Sequence, residues 1–527
     1  MEARNGSGAE IEWQLEVQDL HPVLRWLEQA RANGTNGVVV GRAASVTHVD
    51  TYLDTRDRRL DRAGFTVRIR RTRHLPPELT LKSLVAIRSD ALRVRRELSQ
   101  ELDPDEDTML LHSGGPVTDR VRALLGARKL TPLFEVQTRR RAFALTAEGA
   151  PSGELALDDT VIREPGAGLL LGRLRRIEVE APEQALQAVR PLVEGLQQTF
   201  GLQPAVLSKY EAALAVSGRH RIEAETFGPT SIGPGSTIGE VALAVLRRQL
   251  ATLLAKEPGT RLGDDVEDLH DMRVATRRLR AAVALFEDVL PAEVLRLRPE
   301  LTWLGQTIGA VRDLDVQIGE LDGWIATAPE QDQLGLTRIH ALLESQHAHA
   351  RAELLRALDS PRYHRLVHRF GATLRARSGA RTSPAPAAAP ALVQQRQRQV
   401  RKRLKRVRKG HAPAAYHRLR IADKRFRYAL EFLSDVYPGE TDVLVRHATD
   451  LQDLLGVYQD GHVAAIRLRE LAISRADDLG VEAVFAMGGL AEHYRAGMEA
   501  ARLEVEPAAA RLRGNAWKRL RKRLLTA

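Results

Sequence analysis

The feature that most constrains this chain is a basic helical stripe near its middle. From Met272 to Phe286, apolar side chains recur every three or four positions, as they do on the buried face of an α-helix. A second series with the same period falls on roughly the opposite side and is basic throughout. It consists of His270, Arg273, Arg277 and Arg280. The pattern predicts one helix that packs on one face and presents cations on the other.

The stripe occurs a second time, 147 positions later (417 − 270). The equivalent residues are His417, Arg420, Lys424 and Arg427. A separate motif keeps the same offset, since residues 308–313 correspond to residues 455–460. A constant offset across two separated motifs predicts a duplicated unit of roughly 150 residues.

A charged stripe on a helix is ordinarily a solvated face. This stripe differs because it is basic only, and a histidine begins both copies. Like charges three and four positions apart repel each other, so such a ridge costs stability until an anion covers it. The stripe therefore favours binding of a polyanion over simple solvation.

The paired stripes, with Arg312-Asp313-Leu314-Asp315 after the first, resemble the CHAD domain. That family is a helical duplication whose basic groove binds inorganic polyphosphate. The resemblance covers residues 237–527, with a first half at 237–377 and a second half at 391–527. It implies an all-α duplicated bundle that binds polyphosphate through the eight stripe residues: His270, Arg273, Arg277, Arg280, His417, Arg420, Lys424 and Arg427.

Composition also favours a polyanionic partner. The formal net charge is +11 and the pI is about 10.0, which suits polyphosphate, nucleic acid or an acidic membrane surface. The basic run Arg401–Arg406 supports nucleic acid as an alternative partner. Aromatic residues are only 4% of the chain, however, and base stacking needs them.

Several classes of protein are excluded by what the sequence lacks. No stretch has the length and apolarity of a membrane span, and Met1–Glu12 has no apolar core of the kind that a signal peptide needs. The chain has no cysteine, which excludes disulfides and thiolate zinc sites. We therefore expect a cytoplasmic protein, associated with polyphosphate granules, and leave its oligomeric state open.

The first part of the chain alternates with a period of two. In segments such as Phe65–Arg70, Leu92–Leu98 and Phe134–Leu145, apolar residues alternate with residues that are mostly charged. An open sheet with cross-strand ion pairs is one interpretation. The number of Arg and Lys residues on one face favours the other interpretation, an antiparallel barrel with a charged lumen. The expected fold class is α+β, with two domains.

Linkers and helices complete the predicted organisation. Residues 218–236 are rich in Gly, Pro, Ser and Thr, which indicates an interdomain linker, and residues 378–390 form an Ala- and Pro-rich linker. Between them, we predict separate helices at 297–311 and 315–327. The strand that carries Asp50 is predicted to begin at Val46.

Six short motifs in residues 1–217 resemble, in the same order, those of the CYTH domain, the triphosphate tunnel fold. They are Glu10-x-Glu12, Asp50-Thr51-Tyr52-Leu53-Asp54-Thr55, Arg68-x-Arg70, Thr80-x-Lys82, Glu178-x-Glu180 and Ser208-Lys209-Tyr210. Members of that family hold a triphosphate and a divalent metal inside an antiparallel β-barrel. Their substrates include tripolyphosphate, thiamine triphosphate, RNA 5′ ends and, for the cyclases, ATP.

The resemblance implies roles for particular residues. Carboxylates would bind Mg²⁺ or Mn²⁺, because hard cations prefer oxygen ligands. The candidate ligands are Glu10, Glu12, Asp158, Glu178 and Glu180. The phosphates would be held by Arg68, Arg70, Lys82, Arg95, Arg140 and Lys209. Glu10, Glu12 and Lys82 would act in catalysis.

The sequence departs from the CYTH pattern at one position of consequence. Gln14 stands where the family's first motif ends in lysine, so a positive charge that would bind and polarise a phosphate is lost. The acidic pairs favour a metal-dependent triphosphatase, whereas Gln14 favours a protein that only binds polyphosphate; nucleic-acid binding and adenylate cyclase activity are further alternatives. If the lost charge limits catalysis, Gln14→Lys should raise turnover. If it does not, Arg93 is the nearest candidate to replace that charge.

Overall fold

The computed structural model describes residues 8–33, 37–84, 92–104, 111, 114–147, 149–166, 168–219, 226–233, 235–376, 383–410, 412–439 and 441–526. The chain divides into two compact units, Met1–Ala224 and Glu225–Ala527. Within residues 218–236, none of the described positions belongs to a helix or a strand. Of the described helices, none is both long enough and apolar enough to cross a bilayer.

The first unit is built mainly from antiparallel strands. The strands are β1 (Gly8–Glu16), β2 (Val38–Asp54), β3 (Phe65–Thr72), β4 (Glu78–Ser83), β5 (Leu92–Glu101), β6 (Thr131–Ala147), β7 (Ala150–Arg163), β8 (Leu170–Glu180) and the short β9 (Gln203–Pro204). The helices are α1 (His21–Asn33), α2 (Arg59–Arg62), α3 (Pro116–Leu125), α4 (Leu186–Phe200) and α5 (Lys209–Val216).

The strand pairing forms a circuit. The sheet runs in the order β5-β4-β3-β2-β6-β7-β8-β1-β9, and β1 also pairs with β5. Each of the strands β1 to β8 therefore has a hydrogen-bonded neighbour on both sides. The predicted antiparallel barrel is confirmed, and β2 begins at Val38 rather than Val46 because Val38 and Val40 join the buried core.

Alternation along the strands separates an apolar outer face from a polar lumen. On β1, Trp13 and Leu15 are buried in a cluster with side chains from α1 and α4, such as Leu27 and Leu196. Because successive side chains on a strand point to opposite faces, Glu12 and Gln14 face the lumen. The alternation read from the sequence thus decides which residues line the tunnel.

The second unit is helical throughout its described elements. Its first half contains α6 (Ile238–Leu262), α7 (Val266–Leu285), α8 (Ala292–Leu295), α9 (Arg298–Thr327), α10 (Glu330–Asp359) and α11 (Pro361–Arg375). Its second half contains α12 (Ala385–Gly410), α13 (Pro413–Phe432), α14 (Asp442–Ser474), α15 (Ala476–Arg511) and α16 (Asn515–Thr526). The two predicted stripe helices are α7 and α13, and their apolar faces, including Met272 and Phe426, join one core.

Two predictions about this unit are wrong in detail. The predicted helices 297–311 and 315–327 are one helix, α9, because no helix breaker separates them and Leu314 and Leu321 continue its buried stripe. The predicted linker 378–390 is shorter than expected, since α12 begins at Ala385. Ala385, Ala389 and Val393 are buried about one turn apart, and this packing outweighs the breaking effect of Pro390. Residues 378–382 of that linker lie outside the described residues.

Candidate functional site

The lumen of the strand circuit contains a charged cavity of about 480 Å³. Among the described residues, equal numbers of cations and glutamates line it. The cations are the six predicted phosphate ligands, Arg68, Arg70, Lys82, Arg95, Arg140 and Lys209. The glutamates are Glu12, Glu78, Glu97, Glu154, Glu178 and Glu180. The structure therefore brings together the predicted phosphate ligands and three of the predicted metal ligands.

One wall of this cavity is organised around Asp50. Arg70 donates two hydrogen bonds to its carboxylate, at 2.8 and 2.9 Å, and Arg68 donates one at 3.1 Å. Arg68 also contacts Glu97 at 3.4 Å, and Lys82 pairs with Glu97 at 2.9 Å. Burial acts to raise the pKa of Asp50, but Arg68 and Arg70 hold that pKa well below its ordinary value. These cations are thus oriented by carboxylates before any phosphate binds.

A second ion-pair network lies on strands β6, β7 and β8 and the start of α5. Arg140 donates two hydrogen bonds to Asp158, at 2.9 and 2.7 Å, and also contacts Glu178. Lys209 contacts Asp158 and lies 3.0 Å from Glu178. Burial acts to raise the pKa of Glu178, but Lys209 and Arg140 lower it well below the ordinary value, so this carboxyl is ionised. Asp158, a predicted metal ligand, is fully buried against the two cations.

A row of carboxylates crosses three adjacent strands at one level of the lumen. Glu12 on β1 is the cross-strand partner of Glu180 on β8, which is the partner of Glu154 on β7. Side chains opposite each other on neighbouring strands lie close enough to share one ligand. Hard divalent cations prefer oxygen ligands, so a group of carboxylates on neighbouring strands suits such a cation. Glu154 was not among the residues predicted from the sequence.

In this structure, the carboxylate groups of the lumen are not directed at one common metal position. Within the described residues, no group of three or more His, Asp or Glu side chains is arranged to hold a metal ion. The Glu178 carboxylate is instead directed at Arg140 and Lys209. The side chain of Glu10, another predicted ligand, lies outside the described part of the structure.

Gln14 lies between the acidic row and a buried arginine. Its Nε2 donates to Glu12 Oε1 at 2.8 Å and to Glu178 Oε1 at 3.2 Å. Its Oε1 accepts a hydrogen bond from Arg176 Nη1 at 3.1 Å. Burial lowers the pKa of Arg176, but this guanidinium retains a charge at neutral pH. The structure thus gives Gln14 a hydrogen bond from Arg176, whereas the hydrogen bonds described for Arg93 go to the carbonyls of Ala205 and Val206.

The loop before α5 delivers Lys209 into the lumen. Ser208 Oγ accepts from Glu211 N at 3.2 Å, and Glu211 Oε2 accepts from Ser208 N at 2.8 Å, which is a capping box. Arg93 donates to the Ala205 carbonyl at 2.5 Å and so helps to fix this loop. The structure therefore explains the first two residues of the Ser208-Lys209-Tyr210 motif. Ser208 caps the N-terminus of α5, and Lys209 contacts the carboxylates of Asp158 and Glu178.

The stripes of the second unit meet at a groove of about 680 Å³, which we call the central groove. In the described part of the chain, its lining includes six cations and one carboxylate, Glu287. The cations are Arg273, Arg277, Arg280, Arg396, Lys424 and Arg425. Arg277 Nε donates to the hydroxyl of Tyr428 at 2.7 Å, which joins α7 to α13.

Lys424 shows how concentrated the positive charge is. Burial, together with Arg420, Arg277 and Arg273, lowers the pKa of its ammonium to about 7. Two of these arginines belong to the other half of the duplication, so the two stripes face one another across the groove. A bound polyanion would relieve this repulsion.

Several stripe residues, inside and outside the central groove, have polar partners in the protein. Arg273 pairs with Asp313 at 2.9 Å, and Arg427 contacts Glu431 and donates to Gln452 at 3.0 Å. His417 lies 3.1 Å from Gln459. His270, His417, Arg420 and Arg427 are not among the residues that line the central groove, whereas Arg396 and Arg425 do line it and were not predicted. Arg396 comes from α12, and single-helix periodicity could not place it there.

Two family models match the chain. That of the CYTH domain matches residues 26–207, and that of the CHAD domain matches residues 244–469. Among curated proteins, none matches the chain.

Solved structures resemble one part of the chain or the other. The CHAD domain of the plant Ricinus communis is 31% identical, covering 53% of this chain and 96% of that one, with a TM-score of 0.41. PptA from Streptomyces chartreusis is 20% identical, covering 52% of this chain and 99% of that one, with a TM-score of 0.45. A putative adenylyl cyclase from Hippeastrum, described as having a dominant triphosphatase activity, is 22% identical, covering 40% of this chain and 96% of that one, with a TM-score of 0.31.

The two family matches do not overlap, and they follow one another along the chain. The first lies within the strand-built unit and the second within the helical unit. The chain therefore belongs to the proteins in which a CYTH domain is followed by a CHAD domain.

Proposed function

We propose that this chain binds inorganic polyphosphate in the central groove and hydrolyses triphosphate, or the ends of polyphosphate, in the tunnel. The observation that carries the first part is the charge of the central groove, where six cations face one carboxylate. Arginine presents several donors in a plane and grips phosphate oxygens in pairs, so a groove of this composition suits a chain of phosphates.

The second part is supported by the composition of the tunnel cavity. A triphosphate needs several cations around it, and Arg68, Arg70, Arg140 and Lys209 supply them from two strands and a helix. Because Asp50, Asp158 and Glu178 orient these cations in advance, little reorganisation is needed when the substrate enters. No side chain of the lumen is required as a nucleophile if water attacks the phosphorus.

A divalent cation would bind at the carboxylate row. Glu12, Glu154 and Glu180 would hold it, with Glu178 joining them once phosphate oxygens take its place at Arg140 and Lys209. A bound Mg²⁺ or Mn²⁺ would neutralise phosphate charge and help to orient water. The remaining charge would be balanced by the arginines and Lys209.

A specific observation favours a second candidate, a tunnel that binds polyphosphate ends without hydrolysing them. Gln14 holds Glu12 and Glu178 by hydrogen bonds and brings no charge of its own to the lumen. Release of phosphate from tripolyphosphate, measured with and without Mg²⁺, distinguishes the two candidates. Mg²⁺-dependent release supports the enzyme, and binding without release supports the binder.

The nucleic-acid alternative is tested by competition. Polyphosphate should displace double-stranded DNA from the chain at physiological salt, because a cationic groove between helices admits a thin flexible chain more readily than a duplex. If DNA displaces polyphosphate at a comparable phosphate concentration, nucleic-acid binding replaces the proposed function of the helical unit.

A further inference from the structure

A second basic groove lies between α12 and α13, and we call it the side groove. Its volume is about 400 Å³, and Arg396, Arg403, Arg418 and Arg425 line it together with Gln395 and Gln399. No carboxylate is among its lining residues in the described part of the chain. The groove includes Arg403 from the basic run of α12, a run that the proposed function does not otherwise use.

The side groove is continuous with the central groove. Arg396, Ile421 and Arg425 line both of them. A linear ligand that leaves the central groove at these residues would pass directly between α12 and α13.

The charges in the side groove are poorly neutralised by the protein. Arg396 is half-buried and its Nε has no hydrogen-bond partner among the described residues. Arg396 and Arg425 line the same groove, and burial, together with the charge of Arg425, lowers the pKa of Arg396. Like charges that line one groove repel each other, and an anion bound between them would remove this repulsion.

The duplication provides an internal comparison. At the offset of 147, Arg403 and Arg418 correspond to Lys256 and Asp271 in the first half. There the lysine pairs with Asp271 at 2.9 Å and with Asp268 at 3.1 Å. Within the part of the chain that the structure describes, the first half thus has carboxylates at the positions where the second half has none, so the basic side groove is a feature of one half rather than of the repeated fold.

From this we infer that the side groove is a further binding site, for the part of a linear polyphosphate chain that extends beyond the central groove over the second half. The inference rests on the proposed function of the central groove. Among the described residues, the lining of the side groove includes no aromatic side chain, so this groove offers phosphates four arginines but offers a nucleobase nothing to stack on. Long chains should therefore bind more tightly than chains that fill the central groove alone.

The test compares two double variants of the full chain that lose the same charge. Arg403→Ala/Arg418→Ala removes two side-groove cations, and Arg401→Ala/Lys405→Ala removes two exposed cations from α12 that do not line the groove. We expect the first variant to bind long-chain polyphosphate about tenfold more weakly than the second, with a salt slope lower by about one, since each lost phosphate contact reduces that slope. Both variants should bind tripolyphosphate as the unmodified chain does.

Three further outcomes decide the inference. Equal affinities of the two variants for long-chain polyphosphate would overturn it, because charge alone would then explain any loss. Arg418→Asp introduces the residue type found in the first half, and it should weaken long-chain binding relative to the unmodified chain. An affinity equal to that of the unmodified chain would also overturn the inference. If the unmodified chain binds no long-chain polyphosphate, the proposed function of the central groove fails instead.

Discussion

The tunnel and the central groove contain the same number of cations but differ in what neutralises them. Among the residues that the structure describes, six Arg and Lys residues line each site, together with six glutamates in the tunnel and one in the central groove. In the tunnel, Arg70 donates two hydrogen bonds to the buried Asp50, and Arg140 donates two to the buried Asp158. In the central groove, Lys424 has arginines around it and a lowered pKa.

This difference indicates two ways of recognising phosphate. The tunnel fixes the direction of cations through ion pairs. A triphosphate must therefore displace carboxylates from these cations, and the displaced carboxylates would be available to a metal ion. The central groove concentrates like charges, so any chain of phosphates relieves repulsion on binding. We therefore expect binding in the tunnel to depend on geometry and Mg²⁺, and binding in the groove to depend mainly on salt.

The largest expected effect is on the central groove. Arg273, Arg277 and Lys424 line this groove, and Arg420 lies close enough to Lys424 to lower its pKa. Replacing these four residues with Ala should remove most of the affinity for long-chain polyphosphate. The slope of log affinity against log salt should fall by about three, because a flexible strand releases roughly 0.7 counterions per neutralised phosphate. Binding titrations at several salt concentrations measure both quantities.

The matched control for that variant removes four exposed cations of α12 instead: Arg401, Lys402, Lys405 and Arg406. This control should keep most of the affinity. If it loses as much as the stripe variant, net charge and not the central groove accounts for binding.

The next effect is on the tunnel. Glu178→Gln removes an ionised carboxylate that contacts Arg140 and Lys209, and it should lower Mg²⁺-dependent phosphate release by about a hundredfold or more, as loss of one electrostatic group in an active site does. Glu183→Gln, at an exposed position outside the lumen, is the control. Equal release by both variants would contradict the role of Glu178, and long-chain polyphosphate binding should be the same in both.

The sequence predicted the lining of the tunnel better than the lining of the central groove. Side chains on a strand alternate strictly, so once β1 is known to bury Trp13 and Leu15, the inward direction of Glu12 and Gln14 follows. Glu154 was missed because its position beside Glu180 depends on which strands are neighbours, and local alternation does not contain that information.

The central groove depends on tertiary contacts between separate helices. Periodicity predicted that Arg277 and Lys424 lie on cationic faces of α7 and α13, but it could not show that Arg427 donates to Gln452 on α14 or that Arg396 enters from α12. The direction of a long side chain on a helix is decided by its partners, and those partners are distant in the sequence.

A smaller effect is expected at Gln14, where the structure changes the prediction made from the sequence. Gln14→Lys would place an ammonium where the amide now accepts a hydrogen bond from Arg176 at 3.1 Å. Loss of that bond and the new like-charge contact should destabilise the first unit by about 1–3 kcal/mol and leave turnover unchanged or lower. Thermal unfolding and tripolyphosphate hydrolysis measure these effects.

The paired variant Gln14→Lys/Arg176→Gln moves the charge from one residue to the other. It should recover stability relative to Gln14→Lys alone, because residues in direct contact are energetically coupled. A higher turnover in Gln14→Lys alone would show that the missing lysine charge limits catalysis after all, and that Arg176 does not replace it.

The smallest expected effect is the pH dependence of the central groove. The pKa of Lys424 is lowered from 10.5 to about 7, so above pH 7 the amine is increasingly neutral in the unliganded protein. Polyphosphate favours the charged form, so binding takes up a proton and the affinity should fall as pH rises above 7, by at most about tenfold per pH unit.

Lys424→Arg tests this directly, because it places the residue type of the first half, Arg277, at the equivalent position. Arginine stays charged, so the affinity of this variant for long-chain polyphosphate should change less between pH 7 and pH 9. The unliganded proteins give a second readout. Since the unfolded chain binds a proton at Lys424 that the folded chain has lost, the stability contributed by this group rises with pH from 7, and the variant should lack that rise. Parallel pH profiles for both proteins would mean that the arginines around Lys424 do not lower its pKa, and that the central groove is less crowded with charge than its lining residues indicate.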